Sequence, residues 1–242
     1  MLSERVPVPA NDTGCPPDRC ASCAARHAAM CATFGDDEIA ALHAIGRRRT
    51  LPAGQVLVWA GDPSTICANL VSGVLKVVRE EPDGRAQIVG LLFPGDFVGE
   101  LFVERASDTV VAVTEADLCV YPRNVLEATF EHHPAAERML LRRALATLTE
   151  TRRWMLMLAR RHAPEKLAAY LLDMARRLER ADEQADSFDL PMGRAAIGDV
   201  LGLTIETVSR QMTALKAAGL IALPGGRRVR LLDRDGLQRM AG

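Results

Sequence analysis

The period of the hydrophobic pattern changes along the chain, and each change marks an element boundary. Residues 36–47 (DDEIAALHAIGR) keep their apolar positions on one helical face. They predict a short amphipathic helix, with Asp36 or Asp37 as its cap. From residue 50 to 122 the pattern becomes short runs rich in Val, Ile and Leu: QVLVWA, GVLKVVRE, AQIVGLLF, TVVAVT and LCVYP. Gly54, Gly61-Asp62, Ser72-Gly73, Asp83-Gly84 and Pro94-Gly95 punctuate these runs, so the stretch predicts an antiparallel β-roll. Helical spacing returns at 124–130. Residues 134–162 then run without an interior Gly or Pro. Within them Leu141, Ala144, Leu148, Thr151, Met155 and Leu158 alternate three- and four-residue intervals, the spacing of a coiled-coil seam. The other faces of this helix are charged, which favours pairing with a second copy; a helix packed on its own domain is the alternative reading. Pro164 opens a further helix over 164–180 at a favoured first-turn position, and 181–187 read as a polar surface loop.

Residues 194–221 (RAAIGDVLGLTIETVSRQMTALKAAGLI) carry a two-helix pattern with a tight turn. Ala196, Ile197, Val200 and Leu201 form the apolar stripe of the first helix. Gly202-Leu203-Thr204 makes the turn, with Thr204 able to cap the second helix. Val208, Met212 and Leu215 are the second helix's buried stripe, and Gly219 ends it. LIALPGGRRVRLL follows as a hairpin around Gly225-Gly226, a wing. The sum is a winged helix-turn-helix, against the blander reading of a helical hairpin with a surface turn.

Charge sharpens this picture only locally. The 242-residue chain has 30 Lys+Arg and 31 Asp+Glu, a net charge of −1 that by itself says nothing for nucleic acid. From Phe188 onward, however, eight basic residues face five acidic ones, so the end carrying the helix-turn-helix is mildly positive. Glu206 and Thr207 occupy the first turn of the second helix, and Glu206, Ser209 and Arg210 are its outward polar residues. Arg210 suits guanine O6 and N7, Glu206 the cytosine amine, and Ser209 the edge of a T·A pair. Lys216, Arg227 and Arg228 are candidates for phosphates of double-stranded DNA.

Six cysteines complete the candidate chemistry: Cys15, Cys20, Cys23, Cys31, Cys67 and Cys119. The first dozen residues have no secretory apolar core, and no apolar run of ~18 residues exists to span a membrane, so a cytoplasmic location is expected. There, metal or redox chemistry is a better prior than disulfides. C-x2-C-x7-C over Cys20, Cys23 and Cys31 is compatible with an iron–sulfur cluster taking a distant fourth thiolate, with zinc including Cys15, or with a metal-free thiol switch. Cys67 reads as a small buried hydrophobe. Enzyme signatures are missing: no G-x-S-x-G, P-loop or G-x-G-x-x-G occurs, and the five histidines are scattered. A thiol oxidoreductase built on Cys20 and Cys23 would normally need a βαβ setting. No catalytic residues and no small-molecule substrate are expected.

LPAGQVLVWAGD, LVSGVLKVVREEPDGRAQIVGLLFPGDFVGEL, the long helix and IGDVLGLTIETVSR together resemble the CRP/FNR family of transcription regulators over nearly the whole chain. The recognition helix is similar to the FNR branch, whose Glu-Thr-x-Ser-Arg is matched by Glu206, Thr207, Ser209 and Arg210. The resemblance implies an α+β fold: an N-terminal β-roll, a cyclic-nucleotide-binding-like jelly roll, then a long dimerisation helix and a C-terminal winged helix-turn-helix. The implied segments are a cysteine-rich arm (1–35), the sensor roll (36–133), the dimerisation helix (134–163) and the DNA-binding domain (164–242). It further implies an oxygen-labile [4Fe–4S] cluster on Cys20, Cys23, Cys31 and Cys119. That cluster would promote a homodimer, which would bind a palindrome like TTGAT–four bases–ATCAA. An acidic residue opposing pairing maps near Glu150, and the 79–90 loop, with Glu80, Glu81 and Asp83, is a candidate contact for RNA polymerase. The other branch of the family binds cyclic nucleotides. Here Gly99, Glu100 and Leu101 match that cassette, but Ala106-Ser107 falls where Arg-Ser belongs and Arg105 sits one residue early. A cyclic-nucleotide or thiol-redox regulator is therefore the alternative.

Overall fold

The computed structural model describes residues 13–14, 23, 29–81, 83–131, 133–160, 162–178 and 186–242. The chain divides into two compact units, residues 1–77 with 91–141 and residues 78–90 with 142–242.

The roll is built from two antiparallel sheets. One has the order β1 (Thr13–Gly14), β2 (Arg47–Leu51), β9 (Ala116–Pro122), β4 (Ile66–Ser72) and β7 (Phe97–Val98). The other runs β3 (Val56–Val58), β8 (Thr109–Ala112), β5 (Leu75–Glu80) and β6 (Ala86–Leu92). Leu51, Leu57, Leu70, Leu75, Val110 and Leu118 fill its core. Because strand side chains alternate faces, Ala116, Leu118 and Val120 of β9 join this core while Cys119 and Tyr121 point to the opposite side. That outer face is covered by Phe34, by Ile39 and Leu42 of α1 (Asp36–Ile45), by Leu126 and Phe130 of α2 (Arg123–Glu131), and by Ala136 at the start of α3 (Pro134–Arg160).

The α1 boundary differs from the sequence expectation at both ends. Asp36 is the first helical residue, and the Gly35 carbonyl accepts from the Ile39 N–H, so the capping position belongs to Gly35. Arg47 lies in β2 rather than the helix. An Arg-Arg-Arg-Thr run reads poorly as a strand, but Arg48 and Thr50 both bind Asp117 of β9, at 3.1 and 2.8 Å. Their pairing on the polar face compensates for the weak propensity.

The second unit's DNA-binding half packs α4 (Ala163–Leu178) against α7 (Arg234–Ala241), with Leu167, Tyr170, Leu171 and Met174 fully buried. The helix-turn-helix is α5 (Arg194–Leu201) and α6 (Ile205–Ala217). The wing has three strands, β10 (Ser187–Asp189), β12 (Arg228–Leu231) and β11 (Ile221–Gly225), in that order. β10 replaces the end of the expected 181–187 loop: Phe188 is buried opposite Val229, a pairing invisible until the wing has folded back.

Candidate nucleic-acid interface and thiol site

The α5–α6 turn is fixed by backbone contacts. Gly202 adopts φ 62 and ends α5, and the Leu203 N–H bonds the Gly198 carbonyl at 2.9 Å. A Cβ on Gly198 would stand 2.5 Å from the Leu203 carbonyl oxygen, so the turn closes this tightly only over glycine. Thr204 caps α6, its hydroxyl accepting from the Thr207 N–H at 3.2 Å. Val208, Met212 and Leu215 anchor α6, which leaves Glu206 and Arg210 exposed and Thr207 and Ser209 half-buried along the opposite side. The Glu206 backbone N–H and then the Thr204 hydroxyl hold the Glu206 carboxyl below its usual range, so an acceptor is presented at the helix start. At the far end Gly219 follows the cap with φ 72, as expected for a terminating glycine.

The wing arginines carry more than their charge. Arg228 forms a two-pronged pair with Asp189, at 3.2 and 2.9 Å, and Arg227 donates to the Pro191 carbonyl at 2.8 Å. Both tie β12 to the β10 segment, a bond the sequence did not advertise. Lys216 stands exposed on the last turn of α6.

On α3 the expected seam residues Leu141, Ala144, Leu148, Thr151, Met155 and Leu158 are all exposed. Leu145 and Leu156, which a strict three-four count omits, are exposed as well. Glu150 is paired with Arg153 at 3.1 Å, one turn along the same helix.

Cys31, Cys67 and Cys119 lie at the outer face of the roll. Cys119 and Tyr121 of β9 face the same way, and register places Asn69 opposite Cys119 and Cys67 opposite Tyr121. The Cys119 Sγ donates to the Tyr121 hydroxyl at 3.1 Å, and the Asn69 amide donates to Cys31 Sγ at 3.6 Å. Burial first, then the neighbouring sulfurs of Cys119 and Cys31, push the Tyr121 phenol far above its ordinary range and keep it protonated. One phenol therefore joins two of the four expected ligands. Cys23 is half-buried; Cys15 and Cys20 lie outside the described residues. Among the described residues no three His, Cys, Asp or Glu side chains gather as a metal site. Cys67, 1% exposed, is a separate case: burial first, then the Glu127 charge, push its thiol up to about 12.

Two polar groups of the 99–107 loop are engaged by protein partners. The Glu100 carboxylate accepts from the Ser107 N–H at 2.7 Å, and the Arg105 guanidinium donates to the Gly61 carbonyl at 2.7 Å. The cation and backbone donor that would face a cyclic phosphate both have internal partners.

Comparison with known proteins agrees with this architecture. Residues 48–133 match the family described as cyclic nucleotide-binding domain, and residues 165–240 match the Crp-like helix-turn-helix domain. The chain is 42% identical to a probable transcriptional activator of Rhizobium leguminosarum bv. viciae, over 93% of both chains. It is 40% identical to the transcriptional activator protein FnrL of Cereibacter sphaeroides, over 93% of this chain and 92% of that one. Among solved structures, FixK2 from Bradyrhizobium japonicum superposes with a TM-score of 0.76 at 28% identity, covering 82% of this chain and 98% of that one. These relatives are regulators, not enzymes, and no described helix is long and apolar enough to cross a membrane. The β-roll, the long helix, the winged helix-turn-helix and these identities lead to one conclusion: the chain belongs to the CRP/FNR family of DNA-binding transcription regulators.

Proposed function

We propose that this protein is an oxygen-responsive transcription regulator, in which Cys20, Cys23, Cys31 and Cys119 hold a [4Fe–4S] cluster. The observation that carries this reading is the meeting of Cys31, from the arm, and Cys119, from β9, at the Tyr121 phenol. Two thiols far apart in sequence share one covered polar spot on an otherwise apolar face. Thiolate donors suit iron–sulfur ligation, and the group supplies an oxygen-labile redox centre when bound. With those four thiolates engaged, the arm is tied to β9, beside α1, α2 and the first turn of α3. Release of the thiolates unties it.

The exposed apolar stripe of α3 then serves a homodimer. Two α6 helices presented about one helical turn apart read a palindrome like TTGAT–four bases–ATCAA, with RNA polymerase as the downstream partner. The relatives named FnrL and FixK support this reading. Response to a cyclic nucleotide is disfavoured because Arg105 is engaged by the Gly61 carbonyl and the Ser107 N–H by Glu100.

Anaerobic purification followed by iron and sulfide analysis tests the proposal. About four irons per chain are expected, and Cys119→Ser should lose them while Cys67→Ser keeps them. Full loading of Cys119→Ser overturns the ligand set. Iron-free, thiol-active wild-type protein favours a thiol switch, and a tenfold affinity gain for the operator with cAMP favours nucleotide control.

A further inference from the structure

We propose that Tyr121 and Asn69 are positioning residues for the sulfur ligands: two buried hydrogen-bond donors that raise the redox potential of the group held by Cys31 and Cys119 and slow its loss in oxygen. The inference rests on the cluster reading above and concerns its regulation.

Neither side chain belongs where it is on packing grounds alone. Asn69 is 2% exposed and Tyr121 3% exposed, and Tyr121 belongs to a cluster that includes Phe34, Ile39, Leu42, Leu126 and Phe130. A buried amide or hydroxyl needs a partner, or its desolvation goes uncompensated. The partners these two have are sulfurs: Cys31 at 3.6 Å from the Asn69 amide nitrogen, and Cys119 at 3.1 Å from the Tyr121 oxygen. The Asn69 Oδ1 has no hydrogen-bond partner among the described residues. Leucine would fill that place without the penalty, so the amide's value lies in its N–H.

The direction of these bonds follows from protonation. As a thiol, Cys119 donates to the phenol oxygen. As a ligand it is a thiolate with no proton, and the same pair reverses, with the phenol O–H donating to sulfur. The Asn69 N–H already points at Cys31 and needs no reversal. Donors to ligand sulfur withdraw electron density, which stabilises the reduced, more negative state of the centre. Removing a donor therefore lowers the potential and makes electron loss to dioxygen easier.

The local backbone is shaped to keep this geometry. Register locks Asn69 against Cys119 across β4 and β9. At the α1–β2 junction, a Cβ on Gly46 would stand 2.9 Å from the Tyr121 ring and 3.1 Å from the Leu42 carbonyl oxygen, so the junction closes on the phenol ring this tightly only with glycine.

The test uses the full-length chain and two conservative variants, Tyr121→Phe and Asn69→Leu, each prepared anaerobically. Iron and sulfide content, midpoint potential, and the half-time of visible absorbance loss in air-saturated buffer are measured without DNA. Each variant is expected to load iron like the parent, titrate at a lower potential and lose absorbance about threefold faster, the net effect of one hydrogen bond. The double variant should approach about tenfold. A merely structural role would lower thermal stability or iron loading and leave the potential of the loaded fraction unmoved. Full loading with unchanged or raised potentials overturns this inference and leaves the cluster reading intact. A wild-type protein that takes up no iron overturns both. If one variant fails to fold, the other carries the same measurement.

Discussion

At the scale of single residues, cysteines of one type divide by environment. Cys67 and Cys119 lie on neighbouring strands and face the same way, yet only Cys119 reaches a polar partner. With its thiol pushed up to about 12, Cys67 is roughly one part in ten thousand thiolate at pH 8. The shift is upward, so reactivity appears only as pH rises toward that value. Peptide mapping after iodoacetamide treatment of native, metal-free protein should find Cys67 labelled at least about tenfold more slowly than an unstructured cysteine peptide. Labelling at the peptide's rate would show that burial does not protect it. On α6, Arg210 is exposed at the helix start while Val208 and Met212 anchor the opposite side. Arg210→Ala should cost about 1–3 kcal/mol in operator binding and relax discrimination at a G·C pair. Lys216→Ala should weaken all sequences alike. Binding assays across single-base operator variants separate the two, and unchanged specificity in Arg210→Ala would mean that another face enters the groove.

At the scale of elements, the helix-turn-helix is a backbone device before it is a reading head. Its angle depends on the Leu203 N–H reaching the Gly198 carbonyl, and on nothing larger than hydrogen occupying Gly198. A methyl group there meets backbone rather than a flexible side chain, so the helices must part. Gly198→Ala should destabilise the DNA-binding half by about 1–3 kcal/mol, read as a lower thermal midpoint. It should also weaken binding to specific and random DNA together, because it moves α6 as a body. An unshifted midpoint would show that the turn has slack. Thr204→Ala, which removes only the cap, should cost about 1 kcal/mol. The two substitutions test two supports of the same turn.

At the scale of the whole molecule, α3 packs its first turn on the outer face of the roll and leaves an apolar stripe exposed beyond it. Leu141, Leu145, Leu148 and Met155 expose apolar surface along one helix, and half-burying each would contribute roughly 1 kcal/mol. In a two-fold pair along this stripe the flanking Arg142, Arg152 and Arg153 would oppose their own copies, with Arg153 partly balanced by Glu150. A seam so balanced can be tipped by a few kcal/mol. Sedimentation at micromolar concentration should find dimers without oxygen and monomers after air exposure. Leu145→Asp should give monomers in both conditions. Dimers in both, with DNA binding in one, would mean that the DNA-binding domains reorient without dissociating.

Sequence by itself determined what depends on local spacing. The short Val-, Ile- and Leu-rich runs of the roll, the glycine-punctuated turns, the long uninterrupted α3 and the capped α6 all follow from neighbours within a few positions, and all stand in the structure. The family resemblance was likewise carried by contiguous motifs in the roll and α6. Other features needed the chain to fold back on itself. β10 exists because Phe188 finds Val229, and Arg47–Thr50 become a strand because Asp117 lies across from them. Arg228 is bound to Asp189 through a wing that no local window contains. Leu145 belongs to the exposed stripe because a helix face is wider than a three-four count. The thiol site shows the division most plainly. Spacing could name Cys31, and resemblance could name Cys119, as candidates. Alternation along β9 sets Tyr121 on the Cys119 side, but only strand register brings Asn69 opposite Cys119, and only the folded-back chain brings Cys31 to the Asn69 amide, because these are long-range pairings that no neighbouring residue sets.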